Sequence, residues 1–405
     1  MELLLLQQIL LAGFVIALVL GAVTCKTSFC TMGAVSDIVN IGDSGRMRAW
    51  LCAMATAVIG VALIDGFAGA DLSLADDGAT GKPPYGTPVF VWPRYILGGL
   101  LFGVGMTLAS GCGNKTLVRI GGGNLKSVVV FLVMGAGAYL MIYTNFGYHL
   151  FLRWMPSLDF SAWGLASQGV DELVGHPLGI AGPAWSRITA LIIGAAVLAW
   201  VFRSRDFRAS LDNQLGGFVV GAAVVGAWYL TAGPAGRSLL DEIAFLDEIP
   251  YDAGAQSFTF VKPSAHLYYY IQEGFASNLL TFALVAAFGV VAGSFLYSVV
   301  SGNFRIEWFA GGGDLARHLI GGFLMGVGGV LSLGCTFGQA ITGASTLALG
   351  SFITFAAIVL GAALTMKVQY YKMVYEDDAT FAGALVASLA DLRLMPAAWR
   401  KLDRV

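Results

Sequence analysis

Five cysteines are the side chains of this chain with the most distinctive chemistry, and two of them close the same motif. The pattern GGxLxGVGxxLxxGC ends once at Cys112 and again at Cys335. Gly98, Gly99, Leu101, Gly103, Val104, Gly105, Leu108 and Gly111 recur in register as Gly321, Gly322, Leu324, Gly326, Val327, Gly328, Leu331 and Gly334, with Arg94 and Arg317 opening the copies at the same offset. A thiol donates a weak hydrogen bond, and as a thiolate it becomes a nucleophile or metal ligand. The last two uses lack support. No CxxC pair, haem attachment or zinc spacing is present, and none of the four histidines sits in a cysteine motif. No cofactor or metal is expected.

The residues after each cysteine are equally telling. Gly113, Asn114, Lys115 and Thr116 come after Cys112, then Arg119 and the stretch Gly121-Gly122-Gly123-Asn124; Thr336, Phe337, Gly338 and Gln339 come after Cys335. Such polar, glycine-rich backbone at membrane depth is tolerated only where protein or a water-filled cavity satisfies it. A short half-helix starting just after each cysteine would aim free N–H groups and a positive dipole end at the midplane, which favours an anion. The residues expected along an ion path are therefore Cys112 and Cys335 with Gly111, Gly113, Asn114, Lys115, Gly334, Thr336, Gly338 and Gln339.

A third element, Cys25-Lys26-Thr27-Ser28-Phe29-Cys30-Thr31-Met32-Gly33-Ala34, is too polar to extend the preceding apolar run and too apolar for an ordinary loop. On one helix Cys25 and Cys30 would point about 140° apart, so one at most faces the path; Cys30 is the expected one. The counterpart region in the second half is expected around Trp228-Tyr229-Leu230-Thr231, which has no cysteine. Cys25 and Cys52 read as small buried apolar residues. The glycines at 99/103 and 322/326 read as close-packing surfaces. Lys26 and Arg119 could attract an anion or snorkel to the headgroups, and Arg94 and Arg317 read as interfacial anchors.

The elements that position these residues must be membrane helices. The chain has 405 residues, of which 57% are hydrophobic and 12% charged. A net charge of −2 gives nucleic acid nothing to bind. Apolar runs predict nine spans, at about 3–23, 49–67, 94–111, 126–145, 186–203, 214–232, 276–300, 315–333 and 347–366. The first lacks the basic flank and small-residue cleavage site of a signal peptide and is read as retained. Arg46, Arg48, Arg203, Arg205, Arg208, Arg305 and the tail from Lys367 fall on one side of this topology, which the positive-inside rule makes cytoplasmic. The N-terminus is then outside and the C-terminus cytoplasmic. The opposite side receives 68–92 with Asp71, Asp76 and Asp77, the aromatic loop 146–185, and the loop 233–275 with Asp241, Glu242, Asp247, Glu248 and Asp252.

An odd number of crossings separates the two glycine-rich copies, so they enter from opposite faces. The fold class expected is an all-α polytopic membrane protein of about nine transmembrane helices plus short re-entrant half-helices, built as two inverted repeats. The expected organisation is a first repeat over 1–145, an external loop and linking fifth span over 146–213, a second repeat over 214–370, and a cytoplasmic tail over 371–405. Inversion places Cys112 and Cys335 near one another at the midplane.

The element Phe29-Cys30-Thr31-Met32-Gly33-Ala34 with Asp37, the turn Gly111-Cys112-Gly113-Asn114 and the turn Gly334-Cys335-Thr336-Phe337-Gly338 together resemble the YeeE/YedE family of sulfur-compound transporters. The resemblance covers both repeats, apart from 146–212 and the tail after about 370. It implies an hourglass-like protein of the bacterial inner membrane, a pore in which the cysteines at 30, 112 and 335 handle thiosulfate, and a TusA-like cytoplasmic sulfur-carrier protein as a possible partner. The function expected is uptake of thiosulfate or a closely related small sulfur anion. A channel or transporter for another small solute such as a selenium compound, and a membrane sulfur-transfer enzyme, stand as alternatives. No GxxxxGK[ST] nucleotide loop is present, so energy must come from a gradient or from downstream chemistry.

Overall fold

The structure is a computed structural model that describes residues 2–72, 85–243, 250–376, 380–400 and 402. The first half holds α1 (Glu2–Lys26), α2 (Thr31–Ile41), α3 (Gly45–Phe67), α4 (Trp92–Leu108), α5 (Gly113–Gly121) and α6 (Leu125–Tyr143). After a segment of short helical turns comes α7 (Pro183–Phe202). The second half holds α8 (Leu211–Ala232), α9 (Lys262–Gln272), α10 (Phe282–Val300), α11 (Gly312–Leu331), a π-helical turn over Phe337–Gly343 and α12 (Leu349–Tyr375), followed by α13 (Phe381–Asp391). Side-chain caps set several starts: Asn124 accepts from the Ser127 N–H at α6, Ser210 from Asn213 at α8 and Thr281 from Leu284 at α10.

Eight helical segments among the described residues are long and apolar enough to cross a membrane. The ninth expected span is α11, which is 20 residues long. Asp314, Arg317 and His318 in its first two turns, together with its glycines, keep it out of that apolar set. It packs between α4 and α6.

Helix contacts come in matched pairs that relate the two halves. α1 lies on α10 as α8 lies on α3; α4 lies on α12 as α11 lies on α6; α2 meets α12 as α9 meets α6; α5 meets α10 as the Phe337–Gly343 turn meets α3. Two helices pack on their own counterparts, α4 on α11 and α1 on α8. Helix α7 rests on α3 and α13 on α12, outside this pairing.

The glycine motif explains how closely α4 and α11 approach. A Cβ added at Gly105 would stand 2.6 Å from the Gly321 carbonyl oxygen, and one at Gly328 would stand 2.6 Å from the Phe102 nitrogen. The second glycine row of each copy faces outward to the next helix: Gly99 meets Ala357 and Thr354 of α12, and Gly322 meets Val130 and Val133 of α6. Lipid offers no hydrophobic drive between helices, so packing of this closeness supplies the adhesion. Both rows are packing surfaces, the one at 99/103 and 322/326 as its spacing implied. Arg94 of α4 also donates from Nε to the Leu331 carbonyl at 2.7 Å, closing the end of α11, whereas Arg317 is exposed.

The connecting segments do more than bridge spans. A short antiparallel pair, Val89 with Asp159 and Phe90 with Leu158, ties 85–91 to the insertion. From that insertion, the Gln168 side chain accepts from the Gly350 N–H at 3.0 Å at the start of α12. Residues 250–261, expected as external loop, run inward: Phe258 and Phe260 are buried, and α9 then packs on α6. Two aromatics spaced two apart need an apolar home, which the interior provides. Tyr268 and Tyr269 are correspondingly tied into the protein, Tyr268 donating to the Leu132 carbonyl and Tyr269 stacking on Tyr143. Asp76, Asp77, Asp247 and Glu248 lie outside the described residues.

Candidate functional site

Three helices end the same way just before a cysteine. Ser28, Ser110 and Leu333 all stand two residues ahead of Cys30, Cys112 and Cys335, and all have left-handed backbone, with φ of 50°, 60° and 65°. At each, the next N–H reaches five residues back: Phe29 to the Thr24 carbonyl at 3.1 Å, Gly111 to Met106 at 2.9 Å and Gly334 to Gly329 at 2.7 Å. The left-handed residue itself bonds three back, to Cys25, Thr107 and Val330. This is the Schellman helix end repeated three times, with Ser or Leu where glycine would be strain-free. Left-handed non-glycine residues cost about 1–3 kcal/mol each and persist where the surroundings over-determine them.

Beyond each turn the chain begins a new helical piece: α2 after Cys30, α5 after Cys112 and the π-helical turn after Thr336. Cys30 is extended, at φ −156° and ψ 128°, and its sulfur accepts from the Gly33 N–H at 3.5 Å. Cys335 accepts from the Gly338 N–H at the same 3.5 Å. Cys112 occupies the equivalent cap of α5 without that bond. All three thiols are buried.

The structure brings Cys30 directly against Cys112, thiol to thiol. Thr336, the neighbour of Cys335, lies beside Cys112, so the two halves adjoin there. Around them stand aromatic rings: Phe29 stacks on Trp50 at 4.6 Å, and Phe337 meets Trp50 at 5.5 Å and Phe260 at 5.1 Å, edge to face. Within this apolar wall are polar atoms short of protein partners. Asn114 is fully buried, and neither its Oδ1 nor its Nδ2 is hydrogen-bonded; the Thr31 hydroxyl is likewise unpaired, and the Thr336 hydroxyl has only the Cys112 thiol beside it. A buried unsatisfied polar group costs about 1–3 kcal/mol. These three residues stand at the starts of three helical pieces, each within two residues of a cysteine.

The remaining expected path residues divide. Gln339 is consumed by the fold: its Nε2 donates to the Ser332 carbonyl at 2.6 Å and its Oε1 accepts from Ser351 at 2.5 Å. Gly111 and Gly334 sit in the Schellman turns, Gly111 against Lys115 and Gly334 against Gln339. Gly113 faces Phe260, and Gly338 faces Thr259 and gives its carbonyl to the Tyr85 hydroxyl at 2.8 Å. Lys115 lies close enough to Cys30 to act on it electrostatically.

Lys115 also opens onto a polar cavity of about 580 Å³ on the face that carries Arg305 and the start of α11. Lys26, Ser28, Ser110, Arg119, Lys126 and Arg305 share its lining, with Glu307 and Asp314 on the other side of the balance. Asp314 is paired with Lys126 at 3.0 Å, Asn124 bonds Glu307, and Arg119 is held by the Ser110 carbonyl at 2.6 Å. No carboxylate pairs with Lys26 or Lys115 among the described residues. The lining therefore carries a surplus of positive charge, and Ser28 and Ser110, each two residues before a cysteine, belong to it.

Residues 26–364 match the family described as sulphur transport. The chain belongs to the sulphur-transport family. Among similar proteins, the thiosulfate transporter TsuA of Spirochaeta thermophila is 28% identical over 274 residues, covering 66% of this chain and 74% of that one. The thiosulfate transporter TsuA of Escherichia coli is 24% identical over 358 residues, covering 87% and 93%. The resemblance seen in the three cysteine motifs is thus shared by most of the chain, and this sulphur-transport family member is a multi-pass membrane protein that transports a sulfur compound.

One element lies elsewhere than the sequence suggests. The counterpart of α2 is α9, because each packs on the last span of the opposite half. The second-half mate of the Cys30 segment therefore precedes α9, at Ser257-Phe258-Thr259, a separate piece of chain that lies alongside Trp228–Thr231, with the Gln256 N–H donating to the Thr231 hydroxyl at 3.0 Å. A signal is present in the chain: Ser28-Phe29-Cys30 and Ser257-Phe258-Thr259 share two residues of three. So short a match becomes legible only once the packing pairs the helices.

Proposed function

We propose that the protein takes up thiosulfate, or a closely related small sulfur anion, along a central path through Cys335, Cys112 and Cys30. The observation that carries this is the polar set of Asn114, Thr31 and Thr336, unpaired but for the Cys112 thiol beside Thr336, together with the facing thiols and a cavity whose lining has surplus positive charge. Thiosulfate carries a soft terminal sulfur and three hard oxygens. Amide, hydroxyl and helix N–H groups suit the oxygens, and weak S–H donors suit the sulfur. Noncovalent passage is the reading we favour over sulfur-transfer catalysis, because the groups with the largest influence on the thiols are other thiols, hydroxyls, backbone N–H groups and cations.

By the positive-inside rule we read the cavity as opening on the cytoplasmic side of the bacterial inner membrane, with the N-terminus outside. We read 1–145 and 214–370 as the inverted halves, joined by 146–213, with 371–405 as the tail. A TusA-like carrier drawing off the delivered sulfur at the cytoplasmic mouth would supply a pull for uptake in a chain whose sequence carries no GxxxxGK[ST] loop. The test is growth of a host lacking its own sulfur-anion uptake. Expression should restore growth on thiosulfate as sole sulfur source; growth no better than with an empty vector, at confirmed membrane expression, removes the reading.

A further inference from the structure

Each half presents one side chain to its repeat cysteine from the segment before α2 or α9. In the first half it is Cys30, facing Cys112. In the second half it is Thr259, whose hydroxyl faces the Cys335 thiol. A Cβ added at Gly338 would stand 2.8 Å from the Thr259 Oγ1, so the chain keeps glycine where the threonine side chain comes in. The first half has Lys115 at the equivalent position, three residues after its cysteine. Cys30 is buried, whereas Thr259 is partly exposed, and Phe258 and Phe260 on either side of it are buried.

We propose that Thr259 is a specificity-determining residue: the fourth group of the ion path, placed on the far side of Cys335 from Cys112, where its hydroxyl donates to an oxygen of the anion. The proposal rests on the thiosulfate reading above. Inversion fixes the side. Ser28, two residues before Cys30, lines the cationic cavity on one face, so the related Ser257-Phe258-Thr259 segment addresses the opposite face. The two thiol–partner pairs then differ in hardness. Thr259 with Cys335 offers one hard donor and one soft one, matching an anion with an oxygen end and a sulfur end, while Cys30 with Cys112 offers two soft ones. An ion arriving from the Thr259 side meets the discriminating pair first.

The test is labelled thiosulfate uptake by Thr259→Val, Thr259→Ser and Thr259→Cys at matched membrane expression. Valine keeps the shape and removes the donor; serine keeps the donor and removes the methyl group. Thr259→Val is expected to raise KM roughly tenfold or more, the loss of one hydrogen bond to a charged ligand. Thr259→Ser should stay near wild type, and Thr259→Cys should fall between. A merely structural threonine gives the reverse order, with valine tolerated and serine impaired, and that result overturns the proposal. If wild type itself takes up no thiosulfate, the underlying reading fails and this assignment goes with it; wild-type activity with an unimpaired Thr259→Val removes the Thr259 role alone.

Discussion

At the scale of single residues, the site is marked by what its side chains leave undone. Asn114 has no protein partner for either side-chain polar atom. Asn114→Leu removes that buried debt of unmet hydrogen bonds, so melting in detergent should be unchanged or raised while uptake falls at least tenfold. Loss of folding instead would make Asn114 a structural residue. The left-handed positions carry a second expectation. Ser110→Gly relieves backbone strain and should stabilise by about 1 kcal/mol, read as a raised melting temperature. Cys112 and Cys335 stand out in the sequence because the repeat sets them in register, and Asn114 and Thr336 because a polar run follows each cysteine. Thr259 does not, since threonine replaces cysteine there, and Gln339 misleads because a path-facing amide and one bonded to Ser332 and Ser351 look alike in sequence.

At the scale of elements, the glycine rows set the distance between the two central helices. Gly105→Val or Gly328→Val would push a side chain into the backbone of the facing helix, where even a Cβ would stand 2.6 Å away. Either variant should fail to accumulate as folded protein. Gly312→Ala, at the open start of α11 where nothing lies within 4 Å, should accumulate normally, and membrane yield by fluorescence detection separates the cases. The spans are readable from hydrophobic runs, but helix ends are not. The three Schellman turns escape notice because Ser28, Ser110 and Leu333 stand where glycine is the usual signal. The inward course of 250–261 is hidden for another reason: Asp252 and Gln256 give the stretch the look of a loop, while Phe258 and Phe260 carry its burial.

At the scale of the whole molecule, two halves are related by matching helix contacts, and the path proposed between them has unlike ends. A cationic cavity opens on one face, while on the other Tyr85 and residues 250–261 close over Gly338. Cys25 lines the cavity and is only partly buried. A variant retaining Cys25 alone should react with a membrane-impermeant maleimide in inside-out vesicles and stay unlabelled in right-side-out ones. The reverse pattern would invert the orientation assigned from the arginine loops. The central claim is that the thiols of Cys30, Cys112 and Cys335 form part of the route. The most direct measurement is initial-rate uptake of labelled thiosulfate by Cys30→Ala, Cys112→Ala and Cys335→Ala at matched expression. Each variant is expected to lose most of the wild-type rate while remaining folded in the membrane; wild-type uptake preserved in all three would show that the cysteines only fill space.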